Sequence, residues 1–364
     1  MLFRSPGLGS ARGPRATVDV STTAKADGEA PSAAPEAGAL PEKFLALTVD
    51  CNAAYVYLDP YEGCKIAVAE AARNLACAGA TPLGTTDNLN FGNPYNPEIF
   101  WQLKESVRGL AEACRVFNAP VTGGNVSLYN QSPDGAIDPT PTVAMVGIIE
   151  KQEHITTQWF KDEGDVIILL GDVADTNDPL FGLGGSAYLK TIHGLKTGTP
   201  PRCDLVKEKT LHDALRGWIQ SGAVKSAHDC GEGGLAVALA ECCICRLVAR
   251  DTPRLIGADV DLVQASGLSP GPSKTADGQD ARLTITIRLD ALLFGETQGR
   301  IVISVASHNA AKVLAQAKIL EIPAAKLGVT GGSKLQIKTA NGELAWELAE
   351  LHDLWWNSIA RAMR

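Results

Sequence analysis

No apolar run in this 364-residue chain approaches the ~18 to 20 residues needed to cross a bilayer, so a membrane span is not expected. The 9 cysteines show no zinc-ligand spacing, and their odd number builds no disulfide framework of the small secreted kind. Cys242, Cys243 and Cys245 lie in an apolar helical run, where thiols pack as small hydrophobes. A reducing cytoplasm fits this usage. Positive charge is also short: 33 Lys and Arg face 41 Asp and Glu, a net charge of -8 that argues against non-specific nucleic-acid binding. What remains is an ordinary globular composition, 45% hydrophobic and 20% charged, with length enough for two domains.

The first 40 residues stand apart. They hold 4 Pro, 5 Gly and 9 Ala without sustained periodicity, and are expected to be disordered. Arg4, Arg12 and Arg15 precede the first acid, Asp19, a pattern shared by organelle transit peptides and by a ragged start. From residue 41 two α/β units are expected. In the first, 45–49 reads as a buried strand and "GCKIAVAEAARNLACAG" (63–79) as a small-residue helix closed by glycine. A second helix starts at the Asn96 cap and Pro97, with Ile99, Leu103, Val107, Leu110, Cys114 and Phe117 at steps of four and three. Strands at 120–122 and 143–149 complete a unit that ends near residue 150. The second unit, 151–345, contains "DVIILLG" (165–171), the helix of "GEGGLAVALAECC" (231–243) and alternating strands at 282–289 and 300–305. Residues 266–280 read as a surface insertion, and 346–364 as a closing helix. The alternation favours a mixed or antiparallel sheet in this unit.

Three loops carry residues suited to chemistry. "TTDNLNFGNP" (85–94) gathers Asp87, Asn88, Asn90 and Asn93, either as an Asx-rich turn or as a site. "TGGNVSLYN" (122–130) spends two glycines in a strand context, which packing alone does not require. Gly123 and Gly124 can present backbone N–H groups to a phosphate, Asn125 an oxygen to a hard cation, and Ser127 a hydroxyl. A glycine bulge at a sheet edge is the alternative, since no Walker or Rossmann fingerprint accompanies the pair. "HDCGEGGLA" (228–236) leads Asp229 and Glu232 into a helix start, where acidic capping is the favoured reading over anion or metal binding. "GLGGS" (182–186) is a looser phosphate-nest pattern, and "GETQGR" (295–300) reads as a polar turn between strands.

Four long segments, in order, resemble phosphoribosylformylglycinamidine synthase of the small PurL type, in its C-terminal half. They are "LTVDCNAAYVYLDPYEGCKIAVAEAARNLACAGATPLGTTDNLNFGNP", "PVTGGNVSLYN", "AHDCGEGGLAVALAE" and "LFGETQGRIVIS", and the similarity runs from about residue 44 to the end. The resemblance implies an α/β (α+β) two-domain unit of the aminoimidazole ribonucleotide synthetase-like fold, with mixed sheets and flanking helices. It also implies ATP- and Mg2+-dependent amidation of formylglycinamide ribonucleotide through an iminophosphate, in purine biosynthesis. Two tandem copies of the unit pair about a pseudo-twofold axis, and the first builds most of the working site. By motif, Asp87 and Gly124 resemble the second copy's ATP contacts, Asn125 its magnesium ligand and Ser127 its substrate contact. Asp229, Glu296 and Gln298 fall at a pseudo-site and are expected to be structural or auxiliary. The family's general-base His is answered here by Asn52, and its Arg-Asp pair by Arg73-Asn74, so no catalytic residue is expected in this half. Implied partners are the N-terminal half, a glutaminase subunit and a small accessory subunit. A self-sufficient homodimer, with synthetase or kinase activity, and a non-catalytic binding module remain alternatives.

Overall fold

The computed structural model describes residues 42–173, 180–249, 252–266 and 288–364, together with the backbone of Thr17–Asp19. The first sheet contains β1 (Thr17–Asp19), β2 (Phe44–Asp50), β3 (Thr81–Asn90), β4 (Val121–Ser127) and β5 (Thr140–Ile149), in the order β1-β2-β5-β3-β4. Only β3 and β4 run parallel; the other neighbours are antiparallel. Thr17–Asp19 pairs with Leu45–Leu47 inside the segment expected to be disordered, so three of those residues extend the sheet edge. The rest of 1–41 lies outside the described residues.

One face of this sheet is covered by α1 (Ala53–Leu58), α2 (Pro60–Cys77) and α3 (Pro97–Phe117). Both long helices start as their sequences dictate. Asp59 accepts from the Tyr61 and Glu62 N–H groups ahead of Pro60, and Asn96 accepts from Glu98 N at 3.0 Å ahead of Pro97. Helix α2 has small apolar residues on every side and is buried on nearly every side, between the sheet, α3 and the second unit. Its contact with α3 is backbone-close: a Cβ on Gly109 would lie 2.2 Å from the Tyr61 carbonyl. Gly109→Ala is therefore expected to separate the helices and cost roughly 1 to 3 kcal/mol, measured by thermal or urea unfolding.

The opposite face is open. Strand β2 alternates strictly, sending Phe44, Ala46 and Thr48 to the helices and leaving Leu45, Leu47 and Val49 at 47%, 41% and 42% exposure. Ala144, Val146 and Ile148 of β5 share that face, half-buried.

Among the described residues the main sheet of the second unit has seven strands: β6 (Val166–Leu170), β7 (Val224–Asp229), β8 (Ala258–Asp261), β9 (Ile301–Val305), β10 (Ala324–Thr330), β11 (Lys334–Thr339) and β12 (Gly342–Glu347). Their order is β12-β11-β8-β10-β6-β9-β7, antiparallel except for β8 beside β11. The mixed sheet anticipated from the alternation is present. Its helices are α4 (Ala187–His193), α5 (Leu205–Gln220), α6 (Gly234–Ile244), α7 (Leu262–Ser266), α8 (Leu289–Phe294), α9 (Ser307–Ile319), α10 (Leu348–Trp356) and α11 (Ser358–Ala362). Residues 282–287 of the expected strand at 282–289 lie outside the described residues, and Leu289 opens α8 instead. "GETQGR" consequently joins a helix to β9 and not strand to strand. The closing helix starts at Leu348, because 346–347 complete the hairpin partner of β11.

The two units share their cores. Ala76 and Cys77 of α2 pack with Leu215, Trp218 and Ile303, while Cys203 and Leu205 join the first unit's cluster.

Candidate functional site

Residues 85–90 are strand and not Asx turn: β3 continues to Asn90, and only Asn93, accepting from Tyr95 N at 2.9 Å, closes a local turn. The parallel pairing of β3 with β4 then sets four rungs, Asp87 with Gly124, Asn88 with Asn125, Leu89 with Val126 and Asn90 with Ser127. Side chains alternate along a strand, so these rungs divide between two faces. Leu89 belongs to the helix-covered core, and Asp87, two residues earlier, points to that side. Burial pushes the Asp87 carboxyl above its ordinary value.

Gly124 faces the same way, and a Cβ there would lie 2.2 Å from Asp87 Oδ1. The glycine is what lets the carboxylate lie across β4. Gly123 has nothing within 4 Å of its own ideal Cβ, so its backbone is open to a ligand. Of the pair, only Gly124 is held to glycine by its neighbours in the chain.

On the open face, Asn88, Asn125, Asn90 and Ser127 form a polar row beside the apolar strip of β2 and β5. Asn125 Nδ2 donates to Asn88 Oδ1 at 3.1 Å, which turns the Asn125 carbonyl oxygen outward as an acceptor. Asn130 fixes the end of the row. Its Nδ2 lies 2.9 Å from the Ser127 carbonyl and 3.1 Å from Ser127 Oγ, and 3.2 Å from the Phe91 carbonyl. The structure thus brings Asn125 and Ser127 together on one face and places Asp87 across the strand from them. Asn88, the orienting partner of Asn125, was visible in the sequence only as one of several asparagines.

The other named residues gather elsewhere, around Arg73 at the seam of the two units. Arg73 is fully buried and donates to Glu208 at 2.7 Å and to Gln298 Oε1 at 3.0 Å, with Asp229 at 3.6 Å. Glu208 also meets His212 Nε2 at 2.9 Å. Burial alone would raise the Glu208 carboxyl, but Arg73 and His212 hold it below its ordinary value. Asp229 is raised, because burial outweighs Arg73. It does not cap α6, whose first turn carries no acid; the Gly233 N–H is taken by Glu296 Oε1 at 2.8 Å. The acidic-capping expectation for 228–236 is corrected accordingly: the cap comes from a residue 63 positions downstream in sequence, and no local pattern announces it.

The two replacements at the head of the first unit have structural duties. Asn52 Oδ1 caps α1 through Tyr55 N at 3.0 Å, and Asn74 Nδ2 donates to Asp50 Oδ1 at 2.8 Å.

Comparison with known proteins gives one consistent picture. Residues 35–149 match the AIR synthase related protein, N-terminal domain, and residues 162–339 match its C-terminal domain. The phosphoribosylformylglycinamidine synthase subunit PurL of Anaeromyxobacter sp. (strain K) is 42% identical over 324 residues, covering 88% of this chain and 39% of that protein. The PurL subunit of Moorella thermoacetica is 44% identical over 319 residues, covering 87% and 39%. The chain therefore spans about two fifths of the length of these relatives. Among solved structures, Thermotoga maritima PurL complexed with FGAR superimposes with a TM-score of 0.65 at 18% identity, over 85% of this chain and 46% of that one. The tt0281 protein of Thermus thermophilus gives 0.52 at 21%, over 81% of this chain and 85% of that one. At such identities the structural likeness concerns the fold.

Proposed function

Since this chain belongs to the AIR synthase related proteins and carries both of the family's domains in order, we propose that it acts as the C-terminal half of a phosphoribosylformylglycinamidine synthase. The reaction is the ATP-dependent amidation of formylglycinamide ribonucleotide. The similarity to PurL subunits supports this reading, as does the Thermotoga maritima PurL seen with ATP and with FGAR. Residues 41–150 form the ATP-binding and pairing domain, 151–345 the supporting domain and 346–364 the closing segment. The cytoplasm is the compartment this reading proposes, in keeping with the cysteine usage. Among the described residues no helix is long and apolar enough to cross a membrane.

The observation that carries the reading is the rung alignment of β3 with β4 on an open sheet face. The donor set on the open face suits a magnesium nucleotide: one outward amide oxygen, a hydroxyl and a side-chain-free strand segment, with the Asp87 carboxylate behind β4 on the helix side. ATP, when bound, supplies the phosphoryl group that makes the substrate's amide oxygen a leaving group, and Mg2+ neutralises its charge. Asn125 orients an oxygen toward the cation, and Asn88 holds that amide in place. Gly123 and Gly124 let phosphate approach the strand, and Ser127, held by Asn130, binds substrate. The chemistry depends on positioning, and these residues position without donating or taking a proton.

Because the polar row opens onto the same face as Leu45, Leu47 and Val49, covering that face with the N-terminal half also completes the site. The partners in this reading are that half, a glutaminase subunit and a small accessory subunit, in keeping with the Thermotoga maritima assembly named PurLQS. Asn125→Ala tests the assignment in the reconstituted complex. Affinity for Mg-ATP should fall roughly tenfold, the loss of one charge-assisted contact of about 1.4 kcal/mol, with thermal unfolding unchanged. Unaltered nucleotide affinity in a folded variant would remove Asn125 from the metal role.

A further inference from the structure

Glu296 is 1% exposed and lies outside the edge-strand site, within the second unit. Its Oε1 accepts from Ala187 N and from Gly233 N, each at 2.8 Å, and its Oε2 accepts from the Tyr55 hydroxyl. Its own N–H donates to the Gly182 carbonyl at 3.0 Å. The donors come from three places: α1 of the first unit, the first residue of α4 just past the 182–186 glycine segment, and the glycine turn that opens α6. The segments meet backbone to backbone. Gly182 has φ +75° and its ideal Cβ would lie 2.5 Å from Thr297 N, while that of Gly234 would lie 2.5 Å from the Gly295 carbonyl. Glycines at both positions let the main chain close around one carboxylate.

Two backbone N–H groups and one phenol converging on a pair of oxygens make the donor set with which a protein holds a phosphate or carboxylate. Here the chain supplies that anion from its own sequence. We infer that Glu296 is the resident oxyanion of a cradle in the second unit, occupying the position an external phosphate or carboxylate would take and joining α1, α4 and α6 across the two units. The same carboxylate cannot also face a ligand, so the pseudo-site expected at Glu296 is filled from within. Burial outweighs the pull of Tyr55, the two N–H bonds and Arg300, so the Glu296 carboxyl lies above its ordinary value. The inference does not depend on the nucleotide assignment to β3 and β4.

Thermal unfolding of the full chain, in phosphate and in chloride at matched ionic strength, tests it. Glu296→Ala should melt below the wild type. It should then rise by roughly 3 to 6 °C at a tenfold excess of phosphate over its dissociation constant, as phosphate enters the vacated cradle. The wild type and Glu296→Gln, whose side chains still fill the space, should not respond. An equal rise in all three proteins would place the phosphate elsewhere, and no rise in Glu296→Ala would show that the cradle takes no anion; either overturns the inference. If Glu296→Ala fails to fold in chloride, refolding in phosphate gives the answer: recovery supports the cradle and equal failure overturns it. Asn125→Ala leaves this behaviour untouched, so the two assignments can fail separately.

Discussion

Arg73→Met should lose about 3 to 5 kcal/mol of folding stability, read as a fall in the urea midpoint at unchanged slope. The methionine replaces the aliphatic stem but removes the cation shared by Glu208, Asp229 and Gln298, leaving two buried carboxylates without it. The pH dependence has a definite sign. In the wild type the Glu208 carboxyl is depressed, so its contribution is present above the ordinary carboxylate range and is lost as pH falls through its folded value. Without Arg73, burial dominates and raises Glu208 above its unfolded value. The variant's deficit should therefore be largest near neutral pH and shrink as mild acid protonates the stranded carboxylates. A deficit that does not vary with pH would mean that Arg73 acts by packing alone. Lys43→Met, which breaks an ion pair with both partners about half exposed, is the control and should change stability by ~1 kcal/mol or less.

The chain on its own should show no amidation even with ammonia supplied. Asn52 and Asn74 stand where the resemblance wants a base and a metal-binding carboxylate, and both amides are committed, one to a helix cap and one to Asp50. Neither can take a proton. Turnover should appear only when the N-terminal half is added, with ATP hydrolysis and product formation rising together. Sedimentation of the same samples should show that half captured through the open sheet face, whose apolar strip of Leu45, Leu47 and Val49 is of the kind that marks a partner surface. Turnover by a homogeneous preparation of this chain would instead establish a self-sufficient dimer. A monomer that ignores the added half would remove the pairing surface, and with it the assignment of Asp87, Gly124, Asn125 and Ser127.

Local physics made much of this legible in the sequence. Asn96-Pro97 and the apolar steps that follow announce α3, and the small residues of 63–79 closed by glycine announce α2, whose burial on nearly every side comes only from packing between layers. The glycine pair at 123–124 announced a close approach, and one of the two is indeed pressed against Asp87. What escaped was non-local. Residues 85–90 carry turn-forming Asn and Asp yet lie in a strand, because β4 and β5 flank β3 and their ladders override propensity. The division of Asp87 from Asn125 between two faces follows from register, which no single segment encodes. Glu208 and Tyr55 meet Arg73 and Glu296 only where α5 and α1 pack against the seam, and nothing in their local sequence marks those partners, whereas Glu208 and His212 are a local pair one turn apart.

The buried thiols carry a consequence of another kind. Eight of the nine cysteines are buried, from Cys51, Cys64, Cys77 and Cys114 in the first unit to Cys203, Cys230, Cys242 and Cys243 in the second. Burial pushes those of Cys64, Cys77 and Cys242 well above the usual thiol range, and that of Cys230 up to about 11. A thiol without solvent or ionisation reacts only when its surroundings open. Alkylation followed by mass mapping would thus time the opening of each region separately, from the helices of the first unit to the heart of α6. Cys77 and Cys203, which sit where the two cores interlock, would report whether the units ever part before either unfolds.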